Sequence, residues 1–549
     1  MAKKTPSSFR YIYFLLVLLV LACQPAELRT TDILETSQTK TPFYPDLSSD
    51  TTQTPSPQVI NDQFWINPLL PDNIKDHLNL PQHWKVVDDP EEATYRVDLG
   101  EGGTNNSYWI YALVAPFSTI QDEMSSGELL DAWLTNSGTS PILLSDETLA
   151  IFTEIWGTPH ADAIQVLSAD QLLSTAWQNQ PSLALIPFEE IEAQWKVISV
   201  EGLSPIRKEF DPSQYMLAIP LILDGDFDWP LASNRDPHKL TTIAITGVTA
   251  LVRATAFEMN RSGVIYPAEE IGSFLASADI THISNEVPFW SDCPAPDPFQ
   301  RNLIFCSDPD YLQLFEEIGT DIVELTGDHF NDYGEDAMSY TLDLYDDAGI
   351  PYYGGGRNAE NANAAWTTEH NGNLIAFIGC NGKRGGYATA DEDSPGTVDC
   401  DYAYLAEEIE RLHDAGYLVI TTFQHDEIYT FIPQPGLIRD FTIVAEAGSA
   451  IVSGSQAHHA HGMEFTDEDT LIMYGLGNLF FDQKGIVEFG DSALIARHVF
   501  YDGRYLNTEI FTIFFIDFAK PRFMTEDERA EFLNLIFDAS RFDILIEGS

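Results

Sequence analysis

Four polar loops in the second half of the chain carry residues able to do chemistry. They read Asp328-His329-Phe330-Asn331-Asp332-Tyr333-Gly334, Gln424-His425-Asp426-Glu427, Gly454-Ser455-Gln456-Ala457-His458-His459-Ala460-His461-Gly462 and Gly475-Leu476-Gly477-Asn478. Each follows an apolar stretch of strand type. In α/β folds the loops at the carboxyl ends of parallel strands border one crevice, and chemistry collects there. Histidine, aspartate, glutamate and asparagine on such loops are the usual ligands of a hydrolytic metal site.

Those loops need strands and helices to hold them, and the flanking sequence supplies both in a repeated order. Leu312 to Ile318 reads as a helix stopped by Gly319, and Asp321 to Leu325 as a strand. Tyr402 to Ala415 is amphipathic and is capped by Gly416 before the strand Leu418 to Phe423. Leu437 to Ala447 is a helix capped by Gly448 before the strand Ala450 to Val452. Alternation of this kind builds a largely parallel α/β core. Phe511 to Phe518 reads as a late strand and Met524 to Phe537 as a closing helix. Gly354-Gly355-Gly356-Arg357 lacks the Gly-Lys-Ser/Thr of a phosphate loop and reads as a tight turn opening a helix.

The start of the chain gives an address. Lys3, Lys4 and Arg10 precede an apolar stretch, Tyr11 to Ala22, of 12 residues. That is short for a membrane span and suits a signal-peptide core. It ends Val20-Leu21-Ala22-Cys23, which resembles a bacterial lipobox, so Cys23 is expected to carry lipid and residues 1–23 to be a lipoprotein signal peptide. Residues 24–60 are rich in Thr, Ser, Pro and Gln and read as a disordered tether. The expected location is the extracellular face of the cell membrane.

The net charge is −57. A field of that sign repels nucleic acid and anionic headgroups, so no nucleic-acid partner is expected and membrane association rests on the lipid. Cys293 and Cys306 bracket one loop and Cys380 and Cys400 another; in an exported chain two local disulfides are the natural reading, with free thiols as the alternative.

Composition breaks near Asp224 to Lys239, dividing 61–230 from 240–549. In the first part Trp109 to Phe117 and Leu183 to Phe188 read as buried strands, and Gly127 to Trp133 begins a helix. A strand ending Ala-Pro-Phe before a Leu-x-x-x-Trp helix resembles periplasmic solute-binding proteins of the phosphate-binding type. That likeness implies an α/β domain for a small anionic solute.

From Thr241 to Phe518 the chain resembles the CapA family of poly-γ-glutamate capsule-synthesis proteins. The pieces are Gly247-Val248-Thr249-Ala250-Leu251-Val252-Arg253, Asn285-Glu286-Val287-Pro288, Asp328-His329 with Asp332-Tyr333-Gly334, and Ala348 to Asn358. Gly454 to Gly462 and Tyr474 to Asn478 with Phe481-Asp482 complete them. The resemblance implies a calcineurin-like metallophosphoesterase fold, an α/β/β/α sandwich, and a part in handling a capsule or another envelope polymer.

It also implies site residues. Glu286, Asp328, His458 and Asn478 are the expected metal ligands, His329 or His425 the general acid/base, and Arg253 and Arg357 contacts for an anionic substrate. His459 and His461 read as exposed loop residues, and Asp328 with His329 has the alternative of a satisfied loop pair. Val248 stands where the family has an aspartate ligand, and Ser455 and Gln456 where it has histidines. The set therefore suits one divalent ion (Mn, Mg or Zn) rather than the pair, about 3.5–4 Å apart, of a binuclear hydrolase. Metal-assisted hydrolysis or transfer is the leading expectation; a non-catalytic binding lipoprotein is the other.

Overall fold

Strand Leu240–Thr249 shows how the sandwich is built. Successive side chains in a strand point to opposite faces. Ile243 and Ile245 enter one buried cluster, while Ala244 between them enters another. The strand is therefore apolar on both faces, and it lies at the centre of an eight-stranded sheet. Strands Ile280–Asn285, Thr320–Glu324 and Tyr352–Tyr353 follow it in parallel on one side. On the other side Ser492–Tyr501, Arg504–Phe515 and Pro521–Phe523 run antiparallel, and Asn478–Phe480 pairs in parallel with its end.

A second sheet of six strands runs Trp366–His370, Asn373–Asn381, Leu418–Gln424, Ser449–Gly454, Leu471–Met473, Met463–Phe465. Ile375, Phe377, Ile420, Ile451 and Met473 from this sheet share one core with Ile243, Ile245, Ile280 and Ile322 from the first. Helices Arg253–Ser262, Leu312–Glu317 and Gly334–Ala348 cover the outer face of the first sheet through Met259, Phe315 and Leu342. Helices Tyr402–Asp414 and Pro435–Glu446 cover the second through Ile409 and Phe441. The order of layers is α/β/β/α, as the resemblance implies.

In this computed structural model the described residues are 62–542, apart from 75–77, 79, 81–83, 101–105, 139, 225–232, 384–387, 456 and 467–468. The signal peptide with Cys23, the tether and most of the linker near 225–232 lie outside them. Ahead of the sandwich is a ten-stranded mixed sheet, Gln63–Ile66 to Ala218–Asp224 in chain order, with helices Ser126–Thr135, Asp146–Trp156 and Ala169–Gln178. Its core continues into the sandwich, for Leu240, Val499 and Leu506 share a cluster with Trp109 and Phe188. Among the described residues no helix is long and apolar enough to cross a membrane.

Both disulfides form, Cys293–Cys306 and Cys380–Cys400, with Cα atoms 5.8 and 5.0 Å apart. The late strand ends at Phe515, three residues short of the expected Phe518. There the Asp517 carboxylate accepts from the Ala519 and Lys520 backbone N–H groups and turns the chain.

Candidate metal centre

Glu286 leaves strand Ile280–Asn285 one residue after the ladder ends. Its backbone N–H bonds to Thr249 across the parallel pair. The side chain is buried at 3% exposure. Its Oε1 has no hydrogen-bond partner among the described residues. A buried carboxylate without hydrogen bonds is costly unless a cation faces it, and the cations that can do so are the His458 imidazolium, 3.6 Å away, or a bound ion.

Asp328 is brought beside it by Gly327. A Cβ at Gly327 would stand 2.5 Å from the Glu286 carbonyl oxygen, so only glycine lets the loop after Thr320–Glu324 lie against that backbone. One ligand atom each from Glu286, Asp328 and His329 lie within 4.8 Å of one another. The His329 Nδ1 is 2.7 Å from Asp332 Oδ2, which also accepts from the Phe305 N–H. The carboxylate fixes the ring and leaves Nε2 for a ligand, the usual support of a metal-bound histidine. Burial opposes charge on His329, yet the bond to Asp332 and the fields of Glu286 and Asp328 outweigh it and raise its pKa to about 9.

His458 approaches Glu286 from the opposite loop, Nε2 to Oε1 3.6 Å, and its Nδ1 is 2.8 Å from Asn478 Oδ1. Its pKa is raised: burial opposes the charge, and Glu286 overcomes that. Thus Glu286, Asp328, His329, His458 and Asn478 meet although they are far apart in sequence.

Two neighbours in the cluster were missed by the sequence reading. Glu427 ends the quoted Gln424 loop, but which residue of a loop turns inward is not encoded in strand periodicity. Its pKa is pulled down to about 2; burial works against this, and His458, Lys383 and the Tyr429 hydroxyl prevail. Lys383 follows strand Asn373–Asn381 in no recognised motif. Its Nζ lies 2.7 Å from Asp328 Oδ2 and 2.6 Å from Glu427 Oε1. The other Asp328 oxygen accepts from Gln424 Nε2, whose own Oε1 is held by Asn381.

Other expected residues are placed differently. His425 has both ring nitrogens occupied, Nε2 with Asp440 Oδ2 at 3.0 Å and Nδ1 by the Asp426 N–H, so neither is open for proton transfer. Arg357 pairs with Asp343 and Asp346 on helix Gly334–Ala348 and is not joined to the cluster. Arg253 is bound to Asp482 and lies over the rings of Phe305 and Phe481. Those rings pack on His329 and His458, so Arg253 stands behind them, where it also lines a cavity with Phe305, Tyr311 and Tyr333. His459 and His461 are buried, contrary to the expectation of exposed loop residues. His459 packs on Phe431 and Phe489, and the His461 Nδ1 bonds the Thr430 carbonyl, because the loop folds beneath Thr430 and Phe431. Burial lowers the pKa of His461 to about 4.

The residues fit one divalent ion: two carboxylates, one of them with a buried oxygen that accepts no hydrogen bond among the described residues, and an oriented imidazole. Val248, in the ladder beside Asn478, offers no ligand atom. Asp332→Asn should weaken Mn²⁺ binding by about 10–100-fold. Because a ligating histidine must lose its proton, affinity for the metal-free protein should rise from pH 6.5 towards 9, with proton release. Calorimetry in two buffers of different ionisation enthalpy measures both; affinity flat with pH would remove His329 from the ligand set.

A two-sheet α/β sandwich with carboxylates and histidines gathered at its strand ends defines the class. Residues 242–483 match the family model of the bacterial capsule synthesis protein PGA_cap. The chain is 25% identical over 274 residues to the capsule biosynthesis protein CapA of Bacillus anthracis, covering 48% of this chain and 65% of that protein. Over residues 242–483 the chain is thus similar to the CapA family. Among solved structures, a 5'-nucleotidase precursor from Thermus thermophilus aligns at 13% identity and TM-score 0.33 over 54% of this chain and 58% of that one. An ABC-type phosphate transport receptor from Vibrio cholerae aligns at 11% identity and TM-score 0.23 over 31% and 88%.

Proposed function

We propose that this protein acts in the synthesis, export or anchoring of a poly-γ-glutamate capsule or another envelope polymer, at the outer face of the cell membrane and lipid-anchored through Cys23. The observation that supports an enzymatic role is the joining of Glu286, Asp328 and His329 around one buried, unpartnered oxygen. These residues would hold a divalent ion (Mn, Mg or Zn), which supplies polarisation of a carbonyl or phosphoryl oxygen when bound. In this reading two expected roles are exchanged. His329 takes the ligand position. His458, oriented by Asn478 and charged beside Glu286, is placed to give a proton to a leaving group. Lys383 borders the same site, held by Glu427, and its ammonium would orient an anionic substrate. The sheet ahead of the sandwich would receive a small anionic solute.

The second reading, a non-catalytic binding lipoprotein, is favoured by Val248 in place of a ligand. A strain lacking the gene, complemented with wild type or Glu286→Ala at matched protein levels, separates the two. Wild type should restore surface polymer and Glu286→Ala should not; full restoration by Glu286→Ala would establish the binding role. Cys23→Ser should move the protein from the membrane to the soluble fraction, and continued membrane residence would refute the lipid anchor.

A further inference from the structure

The position of Lys383 is unusual for a chain so short of cations. The sequence has 28 lysines and arginines against 85 acidic residues, yet one of the 28 is placed inside the polar cluster. Its ammonium bridges two carboxylates from different strands, Asp328 at 2.7 Å and Glu427 at 2.6 Å. Asp328 is also one of the three residues gathered around the candidate ion position. A carboxylate shared between two cations is the arrangement that holds a pair of metals in a binuclear hydrolase.

We propose that Lys383 takes the place of a second metal ion, so that Asp328 is shared between one divalent ion and one fixed ammonium. This rests on the single-ion reading above. Four observations support it. The Asp328 carboxylate has enough lone pairs to receive Gln424, Lys383 and an ion together. The Lys383 backbone N–H bonds the Asn381 side chain, which also fixes Gln424, so the lysine is positioned by the same chain of amides that orients Asp328. The neighbouring strand is anchored by Cys380–Cys400. Val248 meanwhile offers no ligand atom at the end of its strand, where a second ion would need one.

The substitution changes what the site can do. An ammonium neutralises charge and donates hydrogen bonds, but it does not acidify a bound water as a divalent ion does. Two of the three Lys383 donors are used among the described residues, which leaves one for an anionic oxygen of the substrate. Lys383 would thus bind and orient the substrate anion, and activation would fall to the single ion.

The test is the stoichiometry of Mn²⁺ on the metal-stripped full chain, measured by calorimetry and by electron paramagnetic resonance. Wild type should bind one ion with an uncoupled six-line signal. Lys383→Met frees Asp328 and Glu427 and should bind two ions with an exchange-coupled signal. Lys383→Arg keeps the charge and should stay at one; circular dichroism and the melting temperature report that each variant is folded. Two ions in the wild type, or one ion in both the wild type and a folded Lys383→Met protein, would overturn the proposal. No ion in the wild type but one in Lys383→Met would refute the single-ion reading and keep the lysine as a metal substitute. No ion in either would refute both.

Discussion

Gly247→Ala should unfold the sandwich or leave it unstable by about 3 kcal/mol or more. A Cβ at this position would stand 1.9 Å from the Gly477 carbonyl oxygen and 2.8 Å from its carbon. The obstruction is backbone, so no rotamer change relieves it. That same carbonyl accepts from the Val248 N–H, and the chain continues from it into Asn478, which orients His458. A displaced Gly477 therefore costs the ladder and moves the site together. The control is Gly436→Ala in helix Pro435–Glu446, where an added methyl meets nothing within 4 Å. That change should be neutral or stabilise by up to about 1 kcal/mol. Urea unfolding followed by tryptophan fluorescence distinguishes them; a Gly247→Ala midpoint equal to wild type would show that the close approach is not required.

The second large effect should come from Glu324→Ala. Glu324 is fully buried between the sheets. Its Oε1 is 2.6 Å from the Thr326 hydroxyl and 2.7 Å from the Ser455 hydroxyl, and its Oε2 is 3.4 Å from His282 Nε2. His282 is in turn 2.8 Å from the Tyr353 hydroxyl, which reaches Thr422. Removing the carboxylate leaves two hydroxyls and an imidazole without it inside a cavity. Leaving a buried hydroxyl without its partner costs about 1–3 kcal/mol per group, to which the cavity adds. Glu324→Gln keeps the shape and should cost less. Thr326 precedes Gly327-Asp328, and Ser455 opens the loop that carries His458, so both ends of the metal cluster are tied to this carboxylate. Weaker Mn²⁺ binding should accompany the lost stability. A Glu324→Ala protein with wild-type unfolding midpoint would show that the network carries no stability.

The parts of the fold that were legible in the sequence are those governed by local physics. Helices Tyr402–Asp414 and Pro435–Glu446 were visible because their amphipathic pattern ends at Gly416 and Gly448, both at positive φ. Strands Leu418–Gln424 and Ser449–Gly454 were visible because apolar runs follow those glycines. The convergence of Glu286, Asp328, His329 and His458 followed from topology, since strand ends of one parallel core border one crevice. What could not be read was the direction of each side chain within its loop. His425 and Glu427 are two residues apart, and only the fold shows that Asp440 takes the first while the second faces Lys383. Lys383 had no motif to announce it, and its role depends on the pairing of Asn381 with Gln424, 43 residues apart in sequence. Arg253 lies in a motif piece and Arg357 follows the triple glycine, which made both candidate anion contacts, but each has an acidic partner in a chain of net charge −57.

A single ion beside a fixed ammonium is the core of the proposed chemistry, and anomalous diffraction from crystals soaked in Zn²⁺ tests it most directly. One peak should lie within about 2 Å of ligand atoms from Glu286, Asp328 and His329, with Lys383 still between Asp328 and Glu427. No peak at that position, or a second peak between Asp328 and Glu427 with Lys383 displaced, would contradict it.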